Sequence, residues 1–176
     1  EIGIDSLDLF EIHNYTNSIR KTINGFLLKR KRKNDLKFFN KTIDLISNQI
    51  ENDNNIKDFG FCHLDLHGGN ANVIGEHLEF YDFDNSLCAP REYELSVFRW
   101  SCLIGKREEY WKSFYKNYKK NRKTNYMNYT KLEYYTVLRD LRVFELDIIK
   151  TNFYGENYIS PEYISNRIKF QSSLLK

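Results

Sequence analysis

Apolar residues recur at helical spacing in the first third of the chain. After Asn34, a good N-cap residue, they fall three or four positions apart: Leu36, Phe39, Ile43, Ile46 and Ile50. This spacing predicts an amphipathic helix that ends before the polar run 52–55. Residues 6–33 are also expected to be helical, with a break near Asn24-Gly25. They end in consecutive cations at 29–33, which we interpret as a solvated helix end.

The pattern changes to short β-type runs in the middle of the chain. These runs cover 59–62, 71–74 and 78–83, and they are separated by Gly68, Gly69 and Gly75. Helical spacing then returns and predicts helices over 93–104, 108–121, 130–152 and from Ser160-Pro161 onwards. Together these elements predict an α+β fold that is mainly α.

Composition supports a folded domain and identifies no partner. The chain has 176 residues, 16% of them aromatic, which is enough for one domain with a real core. Its net charge of +3 is small for a dedicated nucleic-acid binder. No apolar run approaches the ~18 residues of a membrane-spanning helix, and the three cysteines lack a paired spacing. We therefore expect a cytoplasmic protein with reduced thiols and no membrane partner.

The segment richest in candidate chemistry begins at His63. It reads His63-Leu64-Asp65-Leu66-His67-Gly68-Gly69-Asn70 and is followed by Tyr81-Asp82-Phe83-Asp84. Phosphoryl transfer needs a carboxylate that holds the attacking hydroxyl and oxygen ligands that hold Mg²⁺ on the phosphates of ATP. Asp65, Asn70 and Asp82 supply these groups. Their spacing is that of the catalytic loop and the metal-binding Asp in the kinase fold.

These motifs resemble the aminoglycoside phosphotransferase and choline kinase family. The resemblance is carried by His63-x-Asp65-x-His67-x-x-Asn70 and Phe80-Tyr81-Asp82-Phe83-Asp84. The segment 89–96 is similar to a helix start in that family, with Glu94 where Asp is common. The segment 114–118 is similar to a segment that comes later in the sequences of that family, with Asn117 where the family has Gly. The resemblance covers residues 59–118 and implies the C-terminal lobe of a protein-kinase-like fold, in which a small β-hairpin carries the catalytic and metal loops.

The resemblance also implies a role for each motif residue. Asp65 would orient or deprotonate the acceptor hydroxyl, and His63 would brace the catalytic loop. Asn70 and Asp82 would bind Mg²⁺, with Asp84 as a further metal residue. The implied cofactors are Mg²⁺ and ATP or another nucleoside triphosphate.

A small-molecule hydroxyl is the acceptor that the resemblance implies. The gap between Asp84 and Tyr93 is too short for the activation segment of a protein kinase. Glu92, Glu94 and His67 are candidate substrate-binding residues, although His67 also suits a loop-packing role. Acidic residues would favour a cationic acceptor such as an aminoglycoside, a choline-like compound or an amino alcohol, while sugars and homoserine remain open.

One part of the family pattern is missing from the chain. No Gly-x-Gly-x-x-Gly loop and no strand lysine precede Phe59, where the family has the lobe that clamps ATP. We therefore interpret 1–176 as the C-terminal lobe of a phosphotransferase, with an N-terminal kinase lobe as its partner in the full-length protein. On this interpretation 1–176 alone would be inactive, and a degenerate, non-catalytic remnant is the alternative.

Two further hypotheses belong to other classes of protein. If His63, Asp65 and His67 lay on a strand, alternation would put them on one face as a zinc or iron site of another enzyme class. The stretch 106–131 is rich in cations and tyrosines and would suit an RNA-binding module. We nevertheless expect a solvated helix face there and no nucleic-acid partner.

Overall fold

The computed structural model describes residues 10–51, 58–122 and 129–175. Helices dominate these residues, and two small antiparallel sheets account for the strands. The expected fold class, α+β and mainly α, is therefore confirmed. Within the part of the chain that the structure describes, no helix is long and apolar enough to cross a membrane.

Ten regular elements follow one another along the described chain. They are α1 (Ile12–Lys29), α2 (Lys33–Glu51), β1 (Phe59–Cys62), β2 (Ala71–Ile74), β3 (His77–Phe80), β4 (Leu87–Pro90), α3 (Arg91–Ile104), α4 (Glu108–Arg122), α5 (Tyr129–Tyr154) and α6 (Pro161–Leu174). Contacts divide the chain into two compact units. The β unit contains Phe10 and the described residues of Asn55–Leu132; the helical unit contains those of Glu11–Asn54 and Glu133–Lys176.

The first two helices differ from their predicted form. α1 is continuous through Asn24 and Gly25, so the predicted break is wrong. A glycine costs a helix about 1 kcal/mol relative to alanine, and burial of the apolar stripe of α1 offsets that cost. α2 begins at Lys33, which places Asn34 inside the first turn and not at the N-cap. The part of the predicted first helix at 6–9 lies outside the described residues.

The core of the helical unit is centred on Phe144 of α5. Its ring lies 5.1 Å from that of Phe39 on α2 and 6.3 Å from that of Phe26 on α1, measured between centroids. The ring of Tyr163 on α6 is 6.1 Å away. All four helices therefore contribute aromatic side chains to one buried cluster. Ser160 caps α6 as predicted, because its hydroxyl accepts the N–H of Tyr163 at 3.1 Å.

The β unit holds two separate two-stranded sheets. β2 pairs with β3, and β1 pairs with β4, which places Phe59 opposite Pro90. The strand expected over 78–83 covers only His77–Phe80, and β4 is an element that the sequence did not predict. Helices α3 and α4 pack around a buried cluster of Leu95, Cys102, Trp111 and Leu132.

Candidate active site

A tight hairpin brings two distant parts of the motif together. β2 and β3 pair so that Ala71 lies opposite Phe80. Asn70 and Tyr81 therefore flank the open end of the hairpin, and the Tyr81 N–H donates to the Asn70 carbonyl at 3.2 Å. Asp82 is the next residue, so the hairpin holds it beside the loop that carries Asn70.

The buried side chain of Asn70 is turned toward Asp65. Its Nδ2 donates to the main-chain carbonyl of Asp65 at 3.1 Å and to the carboxylate Oδ2 at 3.2 Å. Within the described residues, the Oδ1 atom of Asn70 has no hydrogen-bond partner. An amide oxygen of this kind is a suitable ligand for a hard divalent cation.

His63 is buried and connects the two loops. Its Nε2 lies 2.9 Å from the carbonyl oxygen of Tyr81, and its Nδ1 lies 3.3 Å from the main-chain nitrogen of Asp65. A carbonyl only accepts and a main-chain N–H only donates, so the neutral imidazole carries its proton on Nε2. The ring of Phe83 packs against it, with centroids 4.5 Å apart. His63 thus holds main chain on both sides of the site, as a positioning residue would.

Two residues of the site adopt the left-handed backbone conformation without being glycine. Leu64 has φ 59° and Asp82 has φ 66°. Such residues cost of order 1–3 kcal/mol and persist where surrounding contacts hold them, often at functional sites. Leu64 is held by Glu94 at the start of α3, whose Oε2 accepts the Leu64 N–H at 2.7 Å. Tyr81 fixes the other side, because its hydroxyl donates to the Gly69 carbonyl.

His67 lies next to Asp65 and shapes the loop between Asp65 and Asn70. Its Nδ1 accepts the N–H of Gly69 at 2.9 Å. That bond leaves the proton on Nε2, which lies 3.6 Å from the carboxylate Oδ2 of Asp65. A Cβ added at Gly69 would lie 2.7 Å from the His67 ring, so a side chain at this position would displace the histidine.

The two aspartates that follow the hairpin are exposed. Asp82 and Asp84 form no hydrogen bond or ion pair with other described residues, so both carboxylates can accept an external ligand. Magnesium sites commonly use one or two protein carboxylates and fill the other positions with phosphate oxygens and water. Asp82 and the amide oxygen of Asn70 suit this pattern, and Asp84 follows two residues after Asp82.

The two glutamates expected near the substrate are engaged elsewhere. Glu92 is 7% exposed, and its Oε1 lies 3.7 Å from Nζ of Lys131. Its Oε2 is buried with no hydrogen-bond partner among the described residues. Glu94 accepts the hydrogen bond from Leu64. The structure therefore shows Glu94 holding the backbone at Leu64, a contact that the sequence alone did not suggest.

The geometry does not favour the transition-metal hypothesis. β1 ends at Cys62 and Leu64 is left-handed, so strand alternation does not place His63, Asp65 and His67 on one face. Among 10–51, 58–122 and 129–175, no three His, Cys, Asp or Glu side chains form a metal-binding group.

The tyrosines of the stretch 106–131, considered above as an alternative RNA-binding module, serve mainly as packing residues. Tyr115 and Tyr118 pack against the buried cluster that contains Trp111. Tyr110 is exposed, and Arg99 packs over the ring of Tyr129 at 5.0 Å. Tyr126 lies outside the described residues. This arrangement leaves few free aromatic faces on which bases could stack.

Comparisons with known proteins assign no family to this chain. No protein-family model matches it, and no curated protein or solved structure is significantly similar. A function is therefore inferred from the residues of the site.

Proposed function

We propose that the protein is an ATP- and Mg²⁺-dependent phosphotransferase that acts on a hydroxyl group of a small molecule. The observation that carries this proposal is the double hydrogen bond from Asn70 to Asp65. It fixes a carboxylate and leaves an amide oxygen for a cation, while the hairpin holds Asp82 beside the same loop. A base and two oxygen ligands, the minimal set for phosphoryl transfer, thus lie on adjoining loops.

Asp65 would carry the proton transfer. Its carboxylate accepts a hydrogen bond from the acceptor hydroxyl and takes the proton as the oxygen attacks the γ-phosphorus. The bond from phosphorus to the bridging oxygen breaks, and ADP leaves with that electron pair. Asn70 keeps the Asp65 carboxylate oriented throughout, which favours a reactive geometry of the hydroxyl.

Asn70 and Asp82 are the residues that would hold the metal, with Asp84 as a third oxygen donor. Mg²⁺, when bound, supplies positive charge that neutralises the phosphates. The left-handed backbone of Asp82 lies directly before Phe83, whose ring packs on His63. Contacts with the positioning residue therefore restrain the peptide that carries the metal-binding carboxylate.

The acceptor is proposed as a small hydroxyl compound. Glu92 is buried in an ion pair and Glu94 holds Leu64, so these two carboxylates give little support for a cationic acceptor. The exposed carboxylates directly after the hairpin are Asp82 and Asp84, which the metal would share. Aminoglycosides, amino alcohols and neutral sugars are consequently all included as acceptor classes.

The proposal assigns 1–176 to the C-terminal lobe of the enzyme. A clamp for the phosphates, which the resemblance places in a glycine-rich loop with a strand lysine, would come from an N-terminal lobe in the full-length protein. Tests of activity therefore need the intact natural protein.

An acceptor screen with the intact protein tests the proposal. The protein is incubated with ATP, Mg²⁺ and one member of each acceptor class, and ³¹P NMR follows the conversion of ATP into ADP and a phosphate ester. We expect one class to give an ester, and omission of Mg²⁺ to prevent it. ADP formation at the same rate without any acceptor would identify an ATPase and contradict the proposal.

A further inference from the structure

A cleft in the helical unit lies between α1 and the last turns of α5. It encloses about 620 Å³, a volume typical of small-molecule sites. Its α1 wall consists of two neighbouring ridges of residues spaced four apart, Lys21-Gly25-Lys29 and Thr22-Phe26-Arg30. None of these residues belongs to the proposed active site, so the cleft is considered independently of the proposed function.

Gly25 lies on the α1 wall of this cleft. It lies inside a continuous helix, where glycine is unfavourable by about 1 kcal/mol relative to alanine. A closely packed neighbour often explains such a glycine, but apart from the adjacent residues and the backbone of α1 itself, no atom of the described residues lies within 4 Å of a Cβ built at Gly25. Gly25 lines the cleft, so a large side chain at this position is expected to reduce the space available to a ligand.

The charges of the lining are mostly positive. Lys21 and Lys29 form no ion pair or hydrogen bond with other described residues. Arg30 is fixed, because it donates to the carbonyls of Ile159, at 2.7 Å, and of Glu156, and packs 4.3 Å from the centroid of Phe26. Carbonyls do not neutralise its charge. Among the described lining residues, the side chain of Glu156 is the only carboxylate.

Glu145, which lies beside the cleft residues Ser18 and Thr22, does not neutralise the positive charge of the lining. Glu145 of α5 accepts the hydroxyl hydrogens of Ser18, at 2.9 Å, and Thr22, at 3.2 Å. Its carboxylate is 1% exposed and is ion-paired with Arg142. The lysines are therefore the groups available to bind negative charge, because the hydroxyl hydrogens are already donated to Glu145.

The opposite wall of the cleft is mixed, with Ile148 and Ile149 of α5 beside the polar residues Thr151, Asn152 and Glu156. The two isoleucines and the ring of Phe26 on the α1 wall supply its apolar surface. One turn beyond Ile149, Phe153 extends the apolar surface and is 81% exposed. A ligand that satisfies both walls needs a negatively charged group for the lysines and an apolar body for the isoleucines.

We propose that this cleft binds an organic anion, a small molecule with a phosphate or carboxylate group attached to an apolar or aromatic body. Phosphate and carboxylate bind lysine through the same charge, so the probes must separate them. Isothermal titration calorimetry on the full chain would use phenyl phosphate and octanoate as the two probes. Inorganic phosphate serves as the charged group alone and phenol as the uncharged ring.

We expect at least one probe to bind more tightly than inorganic phosphate and phenol, and its identity assigns the ligand class. Changing Lys21 and Lys29 together to alanine should weaken that binding tenfold or more. Gly25→Leu should abolish binding by filling the cleft and should raise thermal stability, because leucine is the better helix former. Lys41→Ala, which removes an exposed lysine of α2 outside the cleft, should leave binding unchanged.

Three results would overturn the proposal. They are failure of both probes to bind at millimolar concentration, unchanged binding of the tighter probe by the double lysine variant, and phenol binding as tightly as the tighter probe. The double lysine variant tests the need for positive charge, and Gly25→Leu tests the need for the open volume of the cleft. If one variant fails to fold, the other still tests the proposal.

Discussion

The side-chain amide of Asn70 is hydrogen-bonded to Asp65 twice, at the main-chain carbonyl (3.1 Å) and at the carboxylate (3.2 Å). The two residues are five positions apart, and the loop between them is closed by the bond from Gly69 N–H to His67. The proposed base and a proposed metal ligand are therefore parts of one hydrogen-bonded loop. A change that moves one of them is expected to move the other.

Asp82→Ala should abolish Mg²⁺-dependent nucleotide binding by the intact protein, because the carboxylate proposed to hold the metal is lost. Calorimetric titration of nucleotide with and without Mg²⁺ measures this effect. Glu79→Ala is the matched control, since it removes an exposed carboxylate from the same hairpin. If nucleotide binding depended equally on Mg²⁺ in the wild type and in Asp82→Ala, Asp82 would not be a metal ligand.

Variants of Glu94 distinguish two roles for this residue: holding the backbone at Leu64, or contacting the acceptor. Its Oε2 accepts the N–H of buried Leu64 at 2.7 Å. Glu94→Ala leaves that donor without this acceptor and should lower the free energy of unfolding by ~1–3 kcal/mol, whereas Glu94→Gln keeps an oxygen acceptor and should lose less. Urea denaturation measures both values.

Glu108→Ala is the control for Glu94, because its pair with Lys112 is exposed and worth little. If Glu94→Ala unfolds like the wild type and instead raises the KM of the acceptor, Glu94 contacts substrate. That result would restore the role that the sequence suggested for it.

The sequence predicted local features better than long-range ones. The apolar spacing of α2 and the Ser160 cap of α6 depend on near neighbours, and both features are present in the structure, although Asn34 is not the cap of α2. β4 has four residues that end in proline, and its partner β1 is far away in the chain, so no local pattern marked it. The Gly25 prediction failed because tertiary burial of α1 outweighs the propensity of one residue.

In the candidate site, too, the sequence predicted local features and missed contacts between distant residues. Spacing alone suggested Asp65, Asn70 and Asp82, and the hairpin that connects them can be recognised from its glycines. The Leu64 N–H bonds to Glu94 across thirty positions, at 2.7 Å, and buried Glu92 pairs with Lys131, about forty positions away. Contacts of this kind depend on where α3 packs, which no short motif encodes.

Removing one partner of a buried ion pair in the helical unit should be strongly destabilising. Asp140 is fully buried, pairs with Arg167 and accepts a hydrogen bond from Gln171 at 2.8 Å. Arg167→Ala should lower the free energy of unfolding by ~3–5 kcal/mol, because the carboxylate loses its opposite charge. Arg20→Ala, which breaks an exposed pair with Asp44, should cost about 1 kcal/mol or less.

Urea denaturation of Arg167→Ala and Arg20→Ala measures the free energy of unfolding lost when the buried pair and the exposed pair are broken. A second readout uses Asp140→Asn combined with Arg167→Met, which removes both charges and should recover part of the lost stability. Equal losses for Arg167→Ala and Arg20→Ala would show that burial of Asp140 has no special cost.

The thiol of Cys62 should make the protein less stable in alkali. Burial, assisted by the nearby Glu94 carboxylate, raises the pKa of Cys62 from its ordinary 9.0 to about 12. Above pH 9 the unfolded thiol ionises while the native thiol stays protonated, so this contribution to stability is complete below pH 9 and is lost as the pH rises toward 12. The loss is at most about 1.4 kcal/mol per pH unit.

Urea denaturation at pH 8 and pH 10 measures this dependence. Cys62→Ala and Cys62→Ser cannot ionise, so both should lose less stability than the wild type over this interval. Burial also raises the pKa of Cys102 and Tyr163, so part of the slope should remain in both variants. If both variants lost as much free energy of unfolding between pH 8 and pH 10 as the wild type, Cys62 would not be the cause of the alkaline loss.

Turnover by Asp65→Asn in the intact protein is the most direct test of Asp65 as the general base. Once an acceptor is found, ³¹P NMR follows ester formation by the wild type, Asp65→Asn and Asp44→Asn, the last of which changes an exposed aspartate of the helical unit. If Asp65 takes the proton of the hydroxyl, its variant should be slower by ~10² or more, while Asp44→Asn keeps the wild-type rate. Ester formation by Asp65→Asn at the wild-type rate would contradict the proposed phosphotransferase site.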